Sequence, residues 1–186
     1  MDTIKNGVNL TSIENLVGAI KETPTLANVQ FQAKSTWGGS TKAVVSIGPC
    51  IAGGQDISPP ERKFTMTVDE PGVLGGDDSA PNPVEYLAAA LCGCLTAGIA
   101  TNAALFDVKL DRIEVEVAVN FDINGVLGLV KETPSGPLSL HYKVKLAGPG
   151  AAEAMERCKT TIDRKSPIKN AINLPLHVTT EFELAP

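Results

Sequence analysis

Residues 82–106, Asn-Pro-Val-Glu-Tyr-Leu-Ala-Ala-Ala-Leu-Cys-Gly-Cys-Leu-Thr-Ala-Gly-Ile-Ala-Thr-Asn-Ala-Ala-Leu-Phe, set the architecture. Asn82 suits a helix N-cap, Pro83 the first helical position, and Glu85 the third. From there Glu85 can reach back to the cap residue and favour the helix dipole. The spacing predicts a helix from about Pro83 to Leu105. Between Tyr86 and Phe106 there are 21 residues without a charge, long enough to span a membrane. The composition argues otherwise: Ala, Gly, Thr, Cys and Asn dominate, and Glu85 and Asp107 flank the run without a Lys/Arg bias. A helix apolar all round must be buried all round, and a chain of 186 residues can hardly enclose about six turns by itself. Burial by a second copy solves this, so a homodimer is expected. Small residues recur every four positions in two rows, Ala89, Gly93, Ala97, Thr101 and Ala90, Cys94, Gly98, Asn102. Such rows let another helix approach closely.

Outward from this helix the pattern is mixed. On the N-terminal side, Ser12 to Lys21 reads as a short amphipathic helix limited by Pro24. Val29 to Trp37 and Ala43 to Ile47 read as a hairpin around Gly38-Gly39, and Arg62 to Asp69 as a third strand. Two Gly/Pro-rich stretches, Gly48 to Pro60 and Pro71 to Pro83, read as loops. On the C-terminal side, Lys109 to Asp122 and Leu138 to Leu146 alternate as strands. Ala151 to Ile162 is helical, with Ala151, Met155, Cys158 and Ile162 on one face. Ser166-Pro167 restarts a short helix through Ile172, and Leu176 to Leu184 reads as a final strand. This order predicts an α+β fold with mainly antiparallel strands and helices on one side.

Composition narrows the function. A hydrophobic fraction of 43% and a charged fraction of 20% suit a soluble globular chain. A net charge of -5 disfavours a nucleic-acid partner. With two histidines, neither at ligand spacing, and no Cys-x-x-Cys pair, no metal site and no cofactor are expected. The first 16 residues carry Asp2, Lys5 and Glu14 and no apolar run, so a cytoplasmic location without a signal peptide is expected. Reduced thiols are then the default for Cys50, Cys92, Cys94 and Cys158. Cys92 and Cys94 point about 200° apart on a helix and cannot form a disulfide unless it breaks at Gly93. By default each is a small buried hydrophobe.

The stretch from Arg62 to Ala100 resembles the OsmC/Ohr family, the osmotically inducible and organic-hydroperoxide-resistance proteins. The features that carry it are a strand starting near Arg62, a Gly-rich loop, Asn82-Pro83-x-Glu85-x-Leu87 opening a helix, and Cys94 nine residues after Glu85. The wording is most similar to an OsmC-like branch often labelled redox proteins. The resemblance covers about Asn28 to the C-terminus, an OsmC-like domain 28–186, and leaves 1–27 as an N-terminal helical extension. It implies an intertwined homodimer with the long helices at its centre and two sites at the interface. It assigns the reactive cysteine to Cys94, a glutamate to Glu85 and an arginine to Arg62. In the family the thiolate attacks an organic hydroperoxide, a second cysteine in a Cys-Pro motif resolves the sulfenic acid, and a dithiol reduces the enzyme. A thiolate that far inside a helix needs a fixed cation, which Arg62 supplies and Glu85 can hold in place.

One departure bears on activity. The Cys-Pro position falls at Ser166-Pro167, and serine cannot form a disulfide. Cys158 reads as core, and Cys50 lies in a stretch read as a loop, with nothing to position it. The Cys94 sulfenate then needs an external thiol or dithiol, or Cys92 after local unfolding, and is exposed to over-oxidation. The expected function is a one-cysteine, thiol-dependent peroxidase for organic hydroperoxides. The alternative is a non-catalytic or redox-sensing relative that binds a small apolar molecule at the dimer interface.

Overall fold

A computed structural model of the chain describes residues 1–184. Strands β1 (Ile4–Lys5) and β2 (Val8–Asn9) form a small hairpin that leads into helix α1 (Leu10–Glu22). Asn9 caps α1 by accepting from Ser12 N–H, and Pro24 opens a 3-10 turn just beyond it. This N-terminal segment is tied to the body of the chain by Asn6, whose amide donates to Val108 O at 2.8 Å and accepts from Leu110 N–H at 3.2 Å. Lys5 pairs with Asp107 at 2.6 Å.

Strands β3 (Val29–Trp37) and β4 (Ala43–Ala52) form the expected antiparallel hairpin. β4 runs further than its sequence suggests, through Gly48 and Pro49 to Ala52. A register shift at Gln32 accommodates this, and a Cβ at Gly48 would stand 3.0 Å from that of Gln32. Cys50 therefore sits in a strand opposite Phe31, with its N–H held by Ser58 Oγ at 2.7 Å, and not in a loop. Strand β5 (Gln55–Asp56) folds back on the end of β4 through Gly53 and Gly54, both at positive φ. Strand β6 (Thr65–Val68) pairs with the start of β4, on the edge opposite β3, and is shorter than the Arg62 to Asp69 expected.

Helix α2 (Pro83–Leu105) has the expected bounds. Strands β7 (Arg112–Asn120) and β8 (Ser139–Ala147) pair antiparallel, separated by a short helix α3 (Ile123–Val126) that no sequence periodicity announced. Helices α4 (Ala152–Lys165) and α5 (Pro167–Asn173) follow. The core lies where α2 packs on β7 and α4, and it joins Leu91, Leu95, Ile99, Ala103, Val108, Cys158 and Ile162. The expected final strand, Leu176 to Leu184, does not form. Residues 175–184 are exposed and pair with no strand among the described residues, and alternation alone cannot supply the missing ladder partner.

Two features leave apolar surface uncovered within one chain. The β3–β4–β6 sheet packs mainly within itself, leaving Phe31, Trp37 and Phe64 exposed. Helix α2 is buried on its Leu91–Leu95–Ile99 face only, not all round. By length and composition alone it could cross a membrane, yet that face is packed against protein. The two small-residue rows also part company. Gly98 lies under Ile162 of α4, and a Cβ there would overlap it, whereas a Cβ at Gly93 would meet nothing within 4 Å and Ala89 and Ala97 are exposed.

The loop before α2 winds around Asp69, a fully buried carboxylate. It accepts from Thr41 Oγ1 at 2.7 Å, Ser79 Oγ at 2.7 Å, Ser79 N–H at 3.0 Å and Glu70 N–H at 3.0 Å. These donors hold its carboxyl far below the usual range, the Ser79 hydroxyl first and Thr41 next. Gly76 is required here because a Cβ would overlap the carbonyl oxygen of Glu70. Because the folded-state value is depressed, this stabilisation is present above the unfolded value of 3.8 and is lost as pH falls below it. Asp69→Asn is expected to lower the melting temperature at neutral pH and to flatten its dependence on pH below about 4. Calorimetry across pH checks this, and an unchanged pH dependence would contradict it.

Candidate active site

Cys94 lies in the fourth turn of α2, partly exposed. Its Sγ stands 3.1 Å from the Oγ of Ser166, a residue 72 positions away and completely buried. Ser166 is the last residue before α5. Its N–H donates to Ile162 O at 2.7 Å, and its Oγ accepts from Lys169 N–H at 3.2 Å, capping α5. Pro167 at the first position of that helix explains why the chain turns here.

The corner between α4 and α5 is held by Asp163. Its carboxylate accepts from Tyr142 OH at 2.8 Å and pairs with Lys159 at 2.6 Å, while its carbonyl accepts from Lys169 Nζ at 2.8 Å. Burial, with help from Asp163, pushes the Tyr142 hydroxyl up to about 12, so it stays a donor. Asn102 adds a tie between α2 and α4 through Cys158 O at 3.0 Å. These contacts place Ser166 against Cys94.

The other cysteines are placed differently. Cys158 is fully buried in the core, as its helical face implied, and burial pushes its thiol up. Its Sγ points to Ala154 O at 3.2 Å. Cys92 faces Val115 O at 3.6 Å, away from Cys94. All four thiols are free.

Glu85 does what a capping residue should. Its Oε2 accepts from Asn82 N–H at 2.8 Å, while Asn82 Oδ1 accepts from Glu85 N–H at 2.9 Å. Arg62 lies before β6. Its Nη1 donates to Gly48 O at 3.3 Å and its guanidinium stands 5.2 Å from the centre of the Phe64 ring. Within one chain, then, the fold joins Cys94 to Ser166 but pairs neither of them with Arg62 or Glu85. Among the described residues no cluster of His, Cys, Asp and Glu could hold a metal ion. The missed contributors are Thr41, Asp69 and Asp163, each an isolated polar residue whose partners are distant in sequence.

Comparison with known proteins bears on the fold and the family. The profile of the OsmC-like protein family matches residues 76–181, more than half of the chain. No curated protein matches. A solved OsmC-like protein from Mycoplasma pneumoniae superimposes with a TM-score of 0.54 at 14% identity, covering 78% of this chain and 87% of its own. An organic hydroperoxide resistance protein OsmC from Legionella pneumophila superimposes with a TM-score of 0.53 at 20% identity, covering 77% of this chain and 88% of its own. At these identities the likeness is one of fold, and the profile match supplies the family: the chain belongs to the OsmC-like proteins.

Proposed function

We propose that this protein is a thiol-dependent, one-cysteine peroxidase that reduces organic hydroperoxides through Cys94, acting in the cytoplasm as a homodimer. The observation that supports the reading is a partly exposed thiol on α2, Cys94, nine residues after Glu85 and 3.1 Å from the Oγ of Ser166. In the first step the Cys94 thiolate attacks the terminal oxygen of the hydroperoxide. The O–O bond breaks, an S–O bond forms, Cys94 becomes a sulfenic acid, and the alkoxide takes a proton and leaves as the alcohol. An external thiol then condenses with the sulfenic acid, giving a mixed disulfide and water. A second thiol restores Cys94 and leaves as the oxidised partner.

The homodimer supplies what one chain lacks. The open row Ala89, Gly93, Ala97 offers a close helix-to-helix approach, and the uncovered sheet bearing Phe31, Trp37 and Phe64 gives a second copy apolar surface to bury. In this reading Arg62 comes to Cys94 across the interface and stabilises the thiolate. Glu85, with Oε2 committed to the cap, holds the guanidinium through its other oxygen. Residues 28–186 form the OsmC-like domain and residues 1–27 extend it.

A second reading is favoured by the absence of a resolving thiol, because Ser166 cannot supply one and Cys158 is locked in the core. It is a redox-sensing or non-catalytic protein binding a small apolar molecule. A cleft of about 360 Å³ beside the start of α2, walled by Leu74, Val84, Phe121, Ile123 and Val126, offers such a surface.

The two part on one experiment. Reduced protein is treated with one equivalent of an organic hydroperoxide and dimedone, then mapped by mass spectrometry. Rapid labelling at Cys94 alone, abolished in Cys94→Ala together with thiol-dependent peroxide consumption, is the expected outcome. Slow labelling spread over Cys50 and Cys92 would sink the peroxidase and leave the binder.

A further inference from the structure

We infer that Ser166 is the hydrogen-bond donor that favours the thiolate form of Cys94, so that this chain has exchanged a resolving group for an activating one. The inference rests on the reading of Cys94 as the reactive thiol. The Ser166 hydroxyl has one hydrogen and two lone pairs. Lys169 N–H occupies a lone pair at 3.2 Å, and Cys94 Sγ stands 3.1 Å away. While Cys94 is a thiol, either group can donate. Once it is a thiolate it can only accept, and Ser166, sealed from water, turns its hydrogen to the sulfur. A hydrogen bond to the charged form favours that form.

The charged and titratable groups on the surrounding elements are engaged with one another or turned to solvent: Glu153, Glu156, Arg164 and Lys165 of α4 are exposed, and Arg157 stands over the Phe106 ring. On α4 and α5, Cys158 points to Ala154 O, Asp163 is held by Tyr142 and Lys159, and Lys169 Nζ is spent on the Asp163 carbonyl. On β7, Glu114 and Glu116 pair with Lys145, and Glu114 also with Arg112. On α2 itself, Cys92 turns to Val115 O and Glu85 caps the helix start. Arg62, in the dimer proposed above, would add a charge to this hydrogen bond without replacing it.

The test is the pH profile of Cys94 alkylation by iodoacetamide, followed by peptide mapping, in the wild type, Ser166→Ala and Ser166→Gly. Both variants lose the donor, but glycine is tolerated at an N-cap where alanine is not. The expected result is that both profiles move to higher pH and the rate at neutral pH falls about tenfold, the size of one pH unit. Cys50 and Cys92 in the same digests should keep their wild-type rates. Unchanged profiles in both variants would overturn the inference. So would a change confined to Ser166→Ala that tracks a fall in melting temperature, because Ser166 would then act only as a cap. A wild-type Cys94 with the expected profile that never takes dimedone after hydroperoxide would sink the peroxidase and leave the hydrogen bond standing.

Discussion

The Ser166→Cys variant is expected to close a disulfide with Cys94 after one equivalent of organic hydroperoxide and no added thiol. The serine oxygen already lies 3.1 Å from Cys94 Sγ, so a sulfur in its place needs to move by about 1 Å to reach the S–S bond length of about 2.05 Å. The Cys94 sulfenic acid would then lose its hydroxyl to the new thiol as water. The wild type, with no thiol at that position, should instead accumulate sulfinic acid when hydroperoxide is in excess and thiol is withheld. Intact-mass spectrometry reads both results. Expected are loss of nearly all free thiol at the two positions in the variant and protection from over-oxidation. A variant whose Cys94 stays fully reduced, or over-oxidises as in the wild type, would contradict the placement of α5 against α2.

The second large effect is on stability. Leu95 is completely buried on the inner face of α2, in a cluster with Leu91, Ile99, Cys158 and Ile162. Leu95→Ala is expected to cost about 3 kcal/mol, the transfer term of the lost methyl groups plus the cavity they leave. The denaturation midpoint should fall while the slope with denaturant is kept. The measurement needs a fixed protein concentration, because the stability of the proposed dimer would depend on it. A cost below about 1 kcal/mol would mean that the site collapses around the smaller side chain. Ala97→Leu makes a useful contrast: Ala97 is exposed within one chain, so any large effect there reports on a second copy covering the helix.

Much of the secondary structure was legible because its signals are local. Asn82, Pro83 and Glu85 mark the start of α2, and the capping box forms with those residues. Alternation set β7 and β8 to within a few residues, and Ser166-Pro167 opened α5 as its cap chemistry required. Elements failed where local signals mislead. Gly48 and Pro49 read as a loop, yet a register shift in β3 lets β4 continue past them. Leu176 to Leu184 alternates like a strand, yet no neighbour takes its backbone groups.

The local elements, the resemblance carried by Glu85 and Cys94, and the lack of a cysteine before Pro167 can all be read from the chain, because helix caps, side-chain periodicity and residue identity are carried by neighbouring positions. Packing settled the rest. Gly93 and Gly98 are alike in sequence, but only Gly98 is pressed by Ile162. Asp69 is one acid among 21 until Thr41 and Ser79 close around it. The contact between Cys94 and Ser166 exists only because the packing of α2 on α4 and the turn into α5 bring together atoms 72 residues apart, and distances of that kind are set by how the apolar faces pack, not by any local pattern.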